Sequence, residues 1–123
     1  MKILVLTPGE RPRERDIPEG LKAMQEVVEG SIQAIYPFEE HVALICHEEG
    51  KLLNLPPNRA LRDPETGAVY DIVCGTCLLC GAPPDKDSFA GLTPEQLSHY
   101  QEYYRMPEPF LRTDSGLLIL KGV

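Results

Sequence analysis

A chain of 123 residues with 42% apolar and 25% charged side chains has the size of one domain and can bury a core without a metal or a disulfide. Its 12 basic and 19 acidic residues leave a formal net charge of −7, the wrong sign for a phosphate-tracking surface, which argues against general DNA or RNA binding. No run approaches the roughly 18 apolar residues that span a bilayer, and the Met1 to Leu6 stretch is too short for a secretion signal. Cys46, Cys74, Cys77 and Cys80 are therefore expected as reduced thiols of a cytoplasmic protein.

Lys2 to Thr7 is almost continuously apolar and predicts a buried central strand, turned by Pro8-Gly9. The charged run from Arg11 to Ile17 suits an exposed edge strand or loop. Asp16 and Glu19 have capping-box spacing ahead of a helix over Pro18 to Glu29 that buries Leu21, Met24, Val27 and Val28, with Gly30 placed to end it left-handed. Ser31 to Phe38 and His41 to His47 predict two strands separated by Pro37 and Glu39-Glu40, and Leu52-Leu53 suggests a short returning strand.

Asn54 to Gly67, with its prolines and arginines, reads as a loop. Val69 to Cys80 is a second long apolar stretch, and Gly75 inside it marks a bulge or a close approach. Thr93-Pro94-Glu95-Gln96 combines an N-cap, a first-turn proline and a reciprocal glutamine. The helix it opens buries Leu97, Tyr100 and Tyr104 and stops before Pro107 and Pro109. Leu117 to Leu120 reads as an edge strand or an arm. The order implies an α+β fold: a mostly antiparallel sheet with one or two helices packed on it, in a single domain spanning 1–123 with 106–123 as a C-terminal arm.

Cys74-x2-Cys77-x2-Cys80 has the spacing of a metal-binding run, which Cys46, His47 or His41 would complete. On one strand, however, Cys74 and Cys80 share a face while Cys77 points the other way, so buried structural thiols are the simpler reading and no cofactor is assigned. No nucleophile elbow, phosphate loop or histidine metal motif is present, so no catalytic residue is assigned. The segment Asn54-Leu-Pro-Pro-Asn-Arg-Ala-Leu-Arg-Asp63 is the candidate site. Its prolines would present Asn58, Arg59 and Arg62 as an amide and two planar forks suited to a carboxylate, a phosphate or a base edge. Tyr36 and Tyr70 are candidate stacking surfaces, and Thr76 a candidate wall of the same pocket. The structural alternative pairs Arg59 or Arg62 with Asp63 or Asp71 and uses Asn58 to cap the turn.

Val5-Leu6-Thr7-Pro8-Gly9, Leu21 through Gly30, Tyr36-Pro37-Phe38, Glu48-Glu49-Gly50-Lys51, Leu55-Pro56-Pro57-Asn58-Arg59-Ala60-Leu61 and Gly75-Thr76 occur in that order. Together they resemble the Domain of Unknown Function 3846 family over roughly Met1 to Gly81. The resemblance implies a small accessory protein of bacteria, phages and other mobile elements, and supplies no activity. It also implies ordinary apolar residues where this chain has Cys74, Cys77 and Cys80.

The leading expectation is a non-enzymatic binding module, taking a small polar or nucleotide-like ligand or a host protein. One alternative is a protein inhibitor working through its acidic surface at Glu39, Glu40, Glu48 and Glu49, and another is a zinc-stabilised structural domain. Exposed sheet edges would also suit a homodimer.

Overall fold

The computed structural model describes residues 1–120. Nine strands and two helices follow one another among them: β1 (Lys2–Leu6), β2 (Arg13–Asp16), α1 (Leu21–Val28), β3 (Ile32–Ile35), β4 (Val42–His47), β5 (Pro57–Arg62), β6 (Val69–Cys74), β7 (Cys77–Gly81), α2 (Pro94–Tyr103), β8 (Phe110–Thr113) and β9 (Gly116–Ile119). The α+β expectation is met. Five strands form an antiparallel sheet in the order β2-β1-β7-β4-β3, while β5–β6 and β8–β9 are separate two-stranded ribbons.

The centre of the sheet is apolar on both sides, which explains the unbroken apolar runs in its sequence. Ile3, Val5, Ala43, Ile45, Leu78 and Cys80 face α1, where Met24, Val27 and Val28 cover them. Leu4, Leu6, Leu44, Cys46, Cys77 and Leu79 face the other way, under α2 and the inward residues Leu61 and Val73 of the β5–β6 ribbon. Burying each such leucine contributes about 1.5–3 kcal/mol. At one edge, β2 carries the sequence Arg-Glu-Arg-Asp, whose charges discourage further pairing.

Several local expectations change. The capping box at Asp16 and Glu19 does not form: Gly20 occupies the N-cap without a side-chain bond. The β1–β2 register sets Asp16 opposite Lys2, where it pairs with the amino group of Met1 at 3.2 Å. Glu29, with φ 62°, takes the left-handed position expected of Gly30. Gly30 leaves room for a neighbour instead, since a Cβ there would overlap the His47 ring unless the ring moved. Leu52-Leu53 lies in turns and is not a strand.

The largest change concerns the predicted loop, because its Pro57–Arg62 portion is β5, paired with β6. Val69 to Cys80 is correspondingly two strands. Gly75, with φ 88°, is the turn by which the chain leaves the ribbon and enters the main sheet, and its N–H donates to the carbonyl of Pro56 at 2.7 Å. By contrast, the Thr93 capping box forms as expected: Thr93 Oγ1 accepts from the Gln96 amide and Gln96 Oε1 accepts from the Thr93 amide.

The end of the chain forms the β8–β9 hairpin, so β9 pairs with β8 and not with the main sheet. Arg112 reaches from it toward Asn54 Oδ1 and the carbonyl of Leu55. The last residues of the predicted arm, 121–123, lie outside the described residues. Among the described residues no helix is long and apolar enough to cross a membrane.

Candidate functional site

The capped start of α2 fixes its rotation on the sheet. Leu97 and Tyr100 then point inward, as does Tyr104 just past the helix, while His99 and Tyr103 fall on the rim. Across from them, the turn between β3 and β4 brings Phe38 against Tyr100, with ring centres 4.7 Å apart and tilted by 56°, and edge-on to Tyr104 at 6.4 Å. The Tyr100 hydroxyl donates to Glu40 Oε1 at 3.1 Å. Burial and this bond to a carboxylate push the Tyr100 phenol well above its ordinary range, so it stays a donor. Tyr103 is 58% exposed and lies nearly parallel to His99.

The third wall is the end of β5. Arg62 gives both arms of its guanidinium to Glu108, at 2.9 and 3.0 Å, and Glu108 Oε1 also accepts the Ala60 amide. That carboxylate raises the Arg62 pKa and keeps its charge in place. Asp63 closes the ribbon turn by accepting the amides of Glu65 and Thr66, and these bonds hold its carboxyl below the usual range.

Between the three walls lies a cleft of about 440 Å³, whose lining includes Phe38, Glu39, Glu40, Arg62, Asp63, His99 and Tyr103. Glu39, Glu40 and Asp63 contribute carboxylates, whereas the single arginine is already taken by Glu108. Carboxylates beside an exposed aromatic face suit a cationic group, held by charge and by the ring quadrupole.

The predicted site residues are dispersed. Asn58 and Arg59 are fully buried, because β5 is sealed between β6 and the end of α2, so neither is displayed as expected. Asn58 Nδ2 donates to the carbonyls of Leu6 (2.7 Å) and Gly75 (2.9 Å), and lies 3.6 Å from Cys77 Sγ. Arg59 donates to Asn58 Oδ1, and to the carbonyls of Asn58, Glu10 and Tyr104. Its Nε has no partner, and no carboxylate of the described residues ion-pairs with it. Burial lowers its pKa, opposed by Cys77, Glu108 and Tyr104 nearby.

Arg62 alone of the predicted set reaches the cleft. Its partner is Glu108, and Asp71 pairs with Lys51 instead. Tyr36 and Tyr70 are exposed but do not line the cleft, and Thr76 borders a different hollow with Thr7, Pro8, His47 and Leu55. Of the four glutamates of the acidic-surface alternative, Glu39 and Glu40 line the cleft and Glu48 and Glu49 do not, while Phe38, Tyr100, Tyr103 and Glu108 are site residues that no sequence motif marks. The tyrosines at 100 and 103 on a well-capped helix, with Tyr104 at its end, are a usable signal. The pairing of Glu108 with Arg62, across 46 residues of chain, left none.

The cysteines do not assemble as a ligand set. Cys74 lies in the ribbon, while Cys77 and Cys80 project from opposite faces of the main sheet, so the expected common face of Cys74 and Cys80 does not exist. His47 Nδ1 accepts the Glu49 amide. Among the described residues no three His, Cys, Asp or Glu are grouped as metal ligands.

The family described as Domain of unknown function (DUF3846) matches residues 1–105, and the chain belongs to it. Neither a curated protein nor a solved structure matches the chain.

Proposed function

We propose that this member of the DUF3846 family is a binding protein that captures a cationic segment of a partner protein in the cleft between α2, the β5–β6 ribbon and the β3–β4 turn. The observation that carries this reading is the charge of the cleft. Three carboxylates line it beside exposed Tyr103, and its arginine is engaged by Glu108. A guanidinium or ammonium side chain entering there meets Glu39 and Glu40 on one wall, the aromatic rim on another and Asp63 on the third. The net charge of −7 favours encounter with a basic partner.

The small polar or nucleotide-like ligand has less support, because Asn58 and Arg59 spend their donors inside the fold. A zinc-stabilised domain has no ligand group among the described residues to support it. A phage or mobile-element origin, with a host protein as the partner, is what the family resemblance suggests for the same reading, and the four free thiols agree with a cytoplasmic setting.

Backbone amide NMR tests the proposal. Titration with an acetylated, amidated arginine-rich peptide should shift Phe38, Glu40, Asp63, His99 and Tyr103, and Glu40→Gln with Tyr103→Ala should weaken binding about tenfold or more. Glu48→Gln with Glu49→Gln, away from this cleft, should leave it unchanged. Shifts at the cleft with adenosine triphosphate, and none with the peptide, would replace a cationic partner by an anionic ligand.

A further inference from the structure

We propose that Cys46 and Cys77 form a cross-strand dithiol site that reacts with small disulfides and closes to an intramolecular disulfide between β4 and β7. The two strands pair antiparallel, with Ala43 opposite Cys80, Leu44 opposite Leu79 and Ile45 opposite Leu78. Continuing that register by one residue sets Cys46 opposite Cys77.

The type of this pair follows from the hydrogen bonds around it. Ala82 N–H donates to the carbonyl of His41 at 2.8 Å, so odd-numbered β4 residues direct their amides toward β7. At the other end, Glu48 N–H donates to Ser31 at 2.9 Å, so even-numbered residues, Cys46 among them, direct theirs toward β3. Gly81, opposite Val42, agrees: it exchanges both backbone bonds with Ala90 on its far side. Cys46 and Cys77 are therefore a non-hydrogen-bonded pair, with Cα atoms about 4.5 Å apart. That spacing falls within the ~4.4–6.8 Å range of disulfides. Both side chains leave the sheet on the α2 side, into one cluster, and both are free thiols.

The two thiols have different access. Cys46 borders a hollow of about 250 Å³, shared with Lys51, Asp71 and Cys74, whereas Cys77 does not line it and is completely buried. Cys46 is thus the attacking thiol and Cys77 the resolving one. The Cys46 thiolate attacks one sulfur of a small disulfide such as oxidised glutathione, forming a mixed disulfide and releasing one glutathione thiolate. Cys77 then gives up its proton and attacks Cys46 Sγ, expelling the second glutathione. Two protein thiols are oxidised, one small disulfide is reduced, and the two protons pass to the leaving thiolates. Asn58 Nδ2, 3.6 Å from Cys77 Sγ, is placed to donate to the Cys77 thiolate. Burial raises the pKa of both thiols. Asp71 adds to this at Cys46 while Lys51 opposes it, and Cys46 adds to it at Cys77 while Arg59 opposes it. The exchange is consequently slow at neutral pH and accelerates as pH rises.

The test is to incubate the reduced full chain with oxidised glutathione at mildly alkaline pH and read the product by intact mass and peptide mapping. The expected product has lost two hydrogens, carries no glutathione and links the Cys46 and Cys77 peptides. Cys77→Ser should trap one glutathione on Cys46, whereas Cys74→Ser and Cys80→Ser should still close the bond. Circular dichroism establishes that each variant is folded, and Cys77→Ala serves if Cys77→Ser is not. A Cys46–Cys74 link, a glutathione adduct that persists in the wild-type chain, or unreacted folded protein under conditions that consume free cysteine would overturn the proposal.

Discussion

Asn58 and Arg59 show how a polar pair can be structural. The Asn58 amide joins the end of β1 to the Gly75 turn while its oxygen receives the Arg59 guanidinium. Asn58→Ala would strand two carbonyls and one arm of a buried cation, a loss of about 2–4 kcal/mol that urea unfolding would measure. An unchanged midpoint would mean that water replaces the amide. Asp63 has a different signature, being exposed and stabilised as an anion by the Glu65 and Thr66 amides. Its folded pKa is lowered, so its contribution is present above the unfolded carboxyl value and lost as pH falls through the folded one. Asp63→Ala should lower the melting temperature at pH 7 and leave it nearly unchanged at pH 2, which a pair of melting curves would check.

The junction of α1 with β4 depends on one missing side chain. Gly30 lies directly against His47, and a methyl group there would displace the ring, costing about 1–3 kcal/mol by overpacking. The cost should largely vanish in a His47→Ala background, so a double-mutant cycle of unfolding free energies separates this contact from a backbone effect. If Gly30→Ala costs the same in both backgrounds, the ring is not the cause. At the other helix, Thr93→Ala removes half of a reciprocal cap and should cost about 1 kcal/mol.

Across the whole molecule, Glu108 acts as a clasp. It lies beyond the matched residues 1–105, yet holds both the Arg62 fork and the Ala60 amide. Glu108→Ala should cost about 1 kcal/mol, since Arg62 is partly solvated and can turn to water. It should also free a cation beside the cleft and weaken capture of the arginine-rich peptide, which isothermal titration calorimetry would resolve. Binding should fall as salt rises, because the carboxylates at the cleft mouth are screened within about 10 Å at 0.1 M ionic strength. Affinity insensitive to both the substitution and salt would mean that charge does not drive recognition.

Period and punctuation in the sequence determined what depends on near neighbours: the apolar runs of β1, β4 and β7, the charged edge strand β2, the Thr93 cap, and an α+β order of elements. The Pro-Pro-Asn-Arg segment reads as a loop yet ends in a strand, for a physical reason. Prolines and charges locally resemble a displayed loop, and only the pairing of β5 with β6 beneath α2 supplies the acceptors that make burial of Asn58 and Arg59 affordable. The Val69 to Cys80 run hid a change of sheet because apolar alternation looks the same whichever sheet receives it. The cleft was legible only in part. Tyr100 and Tyr103 lie on α2 and Tyr104 directly follows it, but the partners that give them meaning, Phe38, Glu40, Asp63 and Glu108, come from distant segments, and only the packing of α2 between a turn and a ribbon brings them together.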